Sequence, residues 1–269
     1  MATRKITLIT MSQGNMKALK KTLDSFKDVV DEFVYGDMLL FDEDRVVIQS
    51  YIEDYNFRSI RLPFNYIFQM GFSSVLNYLA TNAKNDIVIY MNTSEAIETD
   101  NGIKEIINGN PDLNTFFFDH KTDKHRWFRC YDRRELSWSG NIHEELTGDF
   151  KPYHKPIFRM MDYEKDMDSS FKAKVFNDVK ELCYFHNYLK LVDNPKGKGA
   201  TNDYWVKFVA DQYDDMKGRL EKKGKRYEAF KTGNFDMFMN DIYLSKEFEE
   251  ERFESSDIIN YQGARKIVL

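Results

Sequence analysis

Residues 72–95 read FSSVLNYLATNAKNDIVIYMNTSE, and the fold turns on them. Phe72, Val75, Leu76 and Leu79 recur at the spacing of a helix with one apolar face, which predicts a helix over Gly71–Ala83. Asp86-Ile87-Val88-Ile89-Tyr90-Met91 follows as an almost unbroken apolar run, the pattern of a strand covered on both faces. A helix feeding such a strand is the closing half of a β/α/β unit.

Toward the amino terminus the same alternation recurs. Lys5–Thr10 (KITLIT) reads as a first strand, with a polar turn at Ser12-Gln13-Gly14-Asn15 and a helix from Met16 to Phe26. Glu32–Gly36 (EFVYG) reads as a second strand closing on Asp37, followed by a helix through Asp42 to Tyr51 and a strand from Phe57 to Leu62 that Pro63 stops. This alternation predicts a nucleotide-binding type of α/β sheet, in which ligands gather at the carboxyl ends of the strands. The stretches to search are therefore Thr10–Asn15, Asp37 and Asn92–Glu95.

Toward the carboxyl terminus the character changes. Thr115–Phe118, Arg126–Tyr131 and Leu136–Leu146 read as strands joined by polar turns, so the sheet is expected to be mixed. From about Phe171 the pattern is helical, with apolar stripes such as Val175, Val179, Leu182, Cys183, His186 and Leu189, and a clear loop at 193–199. The expected division is a sheet domain over 1–165 and a helical extension over 166–269.

Composition bounds the function. The 269 residues are 42% hydrophobic and 15% aromatic, enough for a sizeable core, and carry 39 basic against 44 acidic residues. A net charge of -5 provides no global field to draw nucleic acid or an anionic membrane. Only two cysteines occur, Cys130 and Cys183, so no disulfide framework or cysteine zinc site is specified and a reducing cytoplasm is expected. No apolar run is long enough to span a bilayer.

Several stretches, taken in order, resemble the family 2 glycosyltransferases of the GT-A fold. They are ITLITMSQGN (6–15), EFVYGDMLL (32–40), FSSVLNYLATNAKNDIVIYMNTSE (72–95) and GNIHEEL (140–146). The resemblance implies an α/β fold of GT-A type, with a mixed, mostly parallel sheet between helices. It also implies a nucleotide-sugar donor and transfer to a hydroxyl acceptor, which could be a saccharide, a protein or a modified DNA base.

In that reading Thr10, Asp37 and Asn77 belong to the donor side, and Asn92, Ser94 and Glu95 line the diphosphate. The family's Asp-x-Asp, which holds a divalent ion against the diphosphate, appears here as Asn92-Thr93-Ser94 followed by Glu95. Two negative charges are lost, which weakens the attraction for Mn²⁺ or Mg²⁺; Glu95 and His143 are the remaining candidate ligands. The family's Arg-Asn on the preceding helix appears as Leu76-Asn77, so a phosphate-facing arginine is also missing. The sequence Gly140-Asn141-Ile142-His143-Glu144 keeps the family's GxIHE. Inverting transfer needs one carboxylate to take the acceptor's proton, for which Glu144 is the first candidate, with Glu145 and Glu95 behind it and His143 beside it.

Two readings from other classes stand beside this one. The charge losses fit a non-catalytic binding module built on the same fold, and the basic segment KGRLEKKGKR (217–226) raises sugar transfer to modified DNA bases. Lys196 and Lys198 read first as bases of a solvated surface loop; the alternative is that this loop folds over a diphosphate and compensates for the missing arginine. His120 and His125 read as the polar tip of a hairpin.

Overall fold

The computed structural model describes residues 3–11, 16–37, 42–62, 64–93, 95–121, 126–140 and 144–162. The chain divides into two units, Met1–Asp168 and Ser169–Leu269, and every described residue lies in the first. The expected helical extension, with its loop at 193–199 and its basic segment at 217–226, lies outside the described residues.

The amino-terminal part is built as the alternation predicts. Strand β1 (Ile6–Met11) is buried along its whole length, and helix α1 (Met16–Phe26) buries Ala18, Leu19, Thr22, Leu23 and Phe26, its apolar stripe. Strand β2 (Glu32–Asp37), helix α2 (Asp42–Asp54) and strand β3 (Phe57–Arg61) follow. Helix α3 (Phe64–Thr81) begins seven residues before the expected Gly71, because two helical segments meet there: Gly71 has φ 77° and ψ 166°, a backbone state that only glycine enters cheaply. Strand β4 (Ile87–Tyr90) completes the parallel block.

Three elements carry no clear signal in the sequence: strand β5 (Glu95–Asp100), helix α4 (Ile103–Gly109) and, later, strand β10 (Phe158–Asp162). Between them lie β6 (Thr115–His120) and β7 (Arg126–Asp132), the expected antiparallel pair. The apolar stretch from Leu136 resolves into a separate hairpin of β8 (Leu136–Ser139) and β9 (Glu145–Gly148).

The large sheet has the order β3-β2-β1-β4-β7-β6-β10-β5. Its β3-β2-β1-β4 block and the β6-β10 pair are parallel, while β4-β7, β7-β6 and β10-β5 are antiparallel. The fold is thus a mixed, mostly parallel α/β sheet flanked by helices, in agreement with the GT-A-like class. Helix α1 packs on β5, α2 on β3, and α3 against β1, β2 and β8.

One apolar cluster joins Ile6, Leu8, Phe33, Tyr35, Ile87 and Ile89 of the strands to Leu19, Leu23 and Phe26 of α1 and to Ile48 and Tyr51 of α2. Phe158 extends it to the sheet's far side, stacked on Phe118 at 4.4 Å and edge-on to Phe26 at 5.7 Å.

Charged networks fasten the amino end of the parallel strands. Glu32, 2% exposed, accepts hydrogen bonds from Thr7 Oγ1 and the Lys84 amide and pairs with Arg58 at 2.8 Å. Asp132 pairs with Arg134 at 2.6 Å and with Arg4 at 3.3 Å. Among the described residues no helix is long and apolar enough to cross a membrane.

Candidate functional site

Parallel strands deliver their carboxyl ends to one edge of the sheet, and Thr10, Asp37, Asn92 and Glu95 lie at or next to those ends. Because β1 and β4 run in register (Ile9 beside Tyr90), Thr10, near the end of β1 and paired with Tyr35, lies beside residues 91–93, which follow β4. Thr10 is fully buried and Thr93 is 1% exposed, and the Oγ1 atom of each has no hydrogen-bond partner among the described residues. A buried hydroxyl without a partner costs about 1–3 kcal/mol, so two of them at the ligand end of a sheet call for a physical reason.

On the neighbouring strand, Asp37 ends β2 at 8% exposure and faces Arg45 of α2, with Nε 3.4 Å from Oδ2. Its main-chain oxygen accepts the Leu62 amide at 2.9 Å, which ties the end of β2 to the end of β3. The residues between Asp37 and α2 lie outside the described set, as do Ser12-Gln13-Gly14-Asn15 after β1.

The link from β4 to β5 holds the densest group. Glu95, 4% exposed, accepts the Asn92 amide at Oε2 (2.7 Å) and Asn92 Nδ2 at Oε1 (2.7 Å). Arg129 Nη1 donates to the same two oxygens at 2.9 and 2.8 Å. Tyr90 hydroxyl donates to Asn92 Oδ1 at 2.8 Å, and the Arg129 guanidinium lies over the Tyr90 ring, 5.2 Å from its centroid. Thr22 of α1 clasps the link from beneath, its hydroxyl within hydrogen-bond distance of the Thr93 and Glu95 carbonyls.

The pleat explains why Arg129 arrives here. In the antiparallel β4–β7 pair Ile89 faces Cys130, so Tyr90 and Arg129 are next in line and share a face.

Glu144 stands just before β9, not within a strand as the alternation of 143–145 anticipated. Gly140 opens the turn with φ 94°. Glu144 is half-buried, and its charge reaches the Tyr90 hydroxyl. Burial pushes the Tyr90 pKa well above the ordinary tyrosine value; the Arg129 charge opposes the shift, and Glu95 and Glu144 add to it. Asn92, read from the sequence, thus bonds the Tyr90 hydroxyl, and the charges of Glu95 and Glu144 act on the same tyrosine. Ser94 and His143 lie outside the described residues.

Asn77 is engaged elsewhere. Its Nδ2 donates to the Trp138 carbonyl at 2.7 Å and its Oδ1 accepts the Trp138 amide at 2.8 Å, which fastens the β8–β9 hairpin to α3. Trp138 in turn sets its ring edge-on to Tyr90 at 5.7 Å and donates Nε1 to the Tyr131 hydroxyl at 3.0 Å.

A divalent ion does not fit the described side chains at this position. A carboxylate offers about four lone-pair sites, and Glu95 accepts four hydrogen bonds. An ion beside Glu95 would also approach the Arg129 guanidinium, and a divalent ion 4 Å from a unit positive charge is repelled by about 8 kcal/mol near a protein surface. Among the described residues no three His, Cys, Asp or Glu side chains converge on a metal-sized point.

Arg129, Arg45, Tyr90 and Trp138 are not distinguished by the sequence. The alternation of RWFRCYD marks a strand, but nothing local gives Arg129 a partner 34 positions away.

No family model matches the chain, and no curated protein is similar to it at a significant level. Among solved structures it is similar to S. aureus TarS, with a TM-score of 0.35 and 13% identity over 68% of this chain. The chain spans about a third of that protein, 34% of its length. A likeness of that degree carries no argument about function, and the chemistry of the site rests on this chain's own residues.

Proposed function

We propose that this chain is an inverting glycosyltransferase that moves a sugar from a nucleoside diphosphate to a hydroxyl acceptor. The observation that supports this is the cluster of Asn92, Glu95 and Arg129 beside Tyr90 at the carboxyl end of a mixed α/β sheet, with the charge of Glu144 acting on the same tyrosine. Asp37 and the unpartnered hydroxyls of Thr10 and Thr93 line the same edge. They offer a nucleoside the hydrogen bonds that its ribose and base need, and a bound ligand removes the cost of leaving those hydroxyls unpaired.

In the proposed step the acceptor oxygen forms a bond to the anomeric carbon from the face opposite the diphosphate. The bond from that carbon to the diphosphate oxygen breaks, and its electron pair leaves with the nucleoside diphosphate. Glu144 takes the acceptor's proton. Removing a general base of this kind costs about 10²–10⁴-fold in rate. Glu144→Gln is therefore expected to lower sugar transfer by that factor with an unchanged melting temperature, read by donor consumption across a panel of sugar nucleotides. An unaltered rate removes Glu144 from the reaction.

The saturation of Glu95 by Asn92 and Arg129 favours a second reading, a non-catalytic module that binds a sugar or nucleotide on the same edge. Saturable binding without any donor turnover would select it.

A further inference from the structure

We propose that Arg129 stands in for the divalent cation at the carboxyl end of β4, so that nucleoside diphosphates bind this chain without a metal ion. The inference rests on the donor-binding reading above and deepens it. Its basis is the use made of Glu95, the one acidic residue in the stretch Asn92-Thr93-Ser94-Glu95. Both of its oxygens are occupied, each by one Asn92 donor and by Arg129 Nη1. The site therefore has a cation already, and it is part of the chain.

Three features fix that cation in place. Arg129 is carried on β7 inside the sheet, its side chain is 12% exposed, and its guanidinium is laid on Tyr90, whose hydroxyl also orients the Asn92 amide. A guanidinium held in this way supplies a fixed positive charge beside the diphosphate position, and it needs no coordination shell. The Asn92 and Glu95 backbone, which a bound ion would otherwise have to order, is ordered by the same contacts. Replacement of carboxylates by Asn92 and Ser94 then becomes consistent: with a single positive charge to balance, one carboxylate suffices.

The test is titration calorimetry on the full chain with UDP, GDP and TDP, in EDTA and in MnCl₂, with MnCl₂ alone as a further arm. At least one nucleotide is expected to bind with the same affinity in both buffers, and Mn²⁺ alone to give no saturable heat. Arg129→Met should weaken nucleotide binding in EDTA by about tenfold, equivalent to about 1.4 kcal/mol, and should gain Mn²⁺ binding as Glu95 regains its acceptor sites. Arg129→Lys should recover part of the affinity as a point charge. An arginine that only braces Glu95 leaves nucleotide affinity in EDTA unchanged once the variant is folded.

Wild-type binding that requires Mn²⁺ overturns the proposal and leaves donor binding standing; this comparison needs no variant to fold. Unchanged affinity in a folded Arg129→Met protein also overturns it. No binding of any nucleotide in either buffer overturns both this proposal and the donor-binding reading.

Discussion

Asn77 shows how a polar side chain in a recognisable position becomes part of the framework. The resemblance puts it on the donor side, yet its carboxamide closes both a donor and an acceptor bond with the Trp138 backbone. Removing it strands two main-chain groups, which costs about 1–3 kcal/mol. Asn77→Ala is expected to lower unfolding stability by that amount in urea and to disturb Tyr90, against which Trp138 packs. Tyr90 fluorescence or a chemical-shift change at Glu95 would register the second effect, and no change in either would show the hairpin to be held by other contacts. At this scale the sequence marks Asp37, Glu95 and Glu144 as chemically interesting, through the motifs in which they stand. Their partners Arg45 and Arg129 are ordinary residues of a helix and a strand, and only their neighbours in space make them distinctive.

The elements with a strong internal period are the ones the sequence reveals. Helix α1 is found at its expected bounds because five of its eleven residues form a buried stripe. Strands β5 and β10 escape notice because their stability comes from each other: β10 inserts between β6 and β5, with a register shift at Arg159 and Met160. β10 alternates over only Phe158, Arg159 and Met160, and β5 (EAIETD) has no apolar alternation, so neither segment is long enough in pattern to announce a strand. The same insertion makes Phe158 a keystone, fully buried between Phe118 and Phe26. Phe158→Ala should cost about 3–5 kcal/mol, measured as a shift of the denaturation midpoint. A loss below about 1 kcal/mol would mean that the aromatic cluster collapses around the gap.

Over the whole described unit, the two ends of the parallel strands have different tasks. The amino end is fastened by ion pairs, of which the Asp132 network is the most linked to pH. Burial works against the charged form of Asp132, but hydrogen bonds from the Arg134 side chain and amide, with the charges of Arg134 and Arg4, more than offset it and hold the pKa below the ordinary value. A group depressed in this way contributes stability that is present above its unfolded pKa, about 3.9 for Asp, and is lost as pH falls through the lower folded value. Stability of the unit should therefore decline on acidification below about pH 4. Asp132→Asn should lower stability at neutral pH and flatten that decline. Equal acid limbs in the two proteins would assign the decline to other carboxylates.

The sequence by itself determined the alternation of helices and strands, the edge at which a ligand would gather, and the absence of the acidic pair from Asn92-Thr93-Ser94-Glu95, because each of these is written in local periodicity or residue identity. Tertiary structure alone decided which residue pairs with the one acid that remains there. Glu95 and Arg129 meet because the pleat of β7 turns Arg129 onto the face of Tyr90 and because the link after β4 turns back over α1. Electrostatic pairing depends on separation in space, and the spacing of residues along a chain does not encode it.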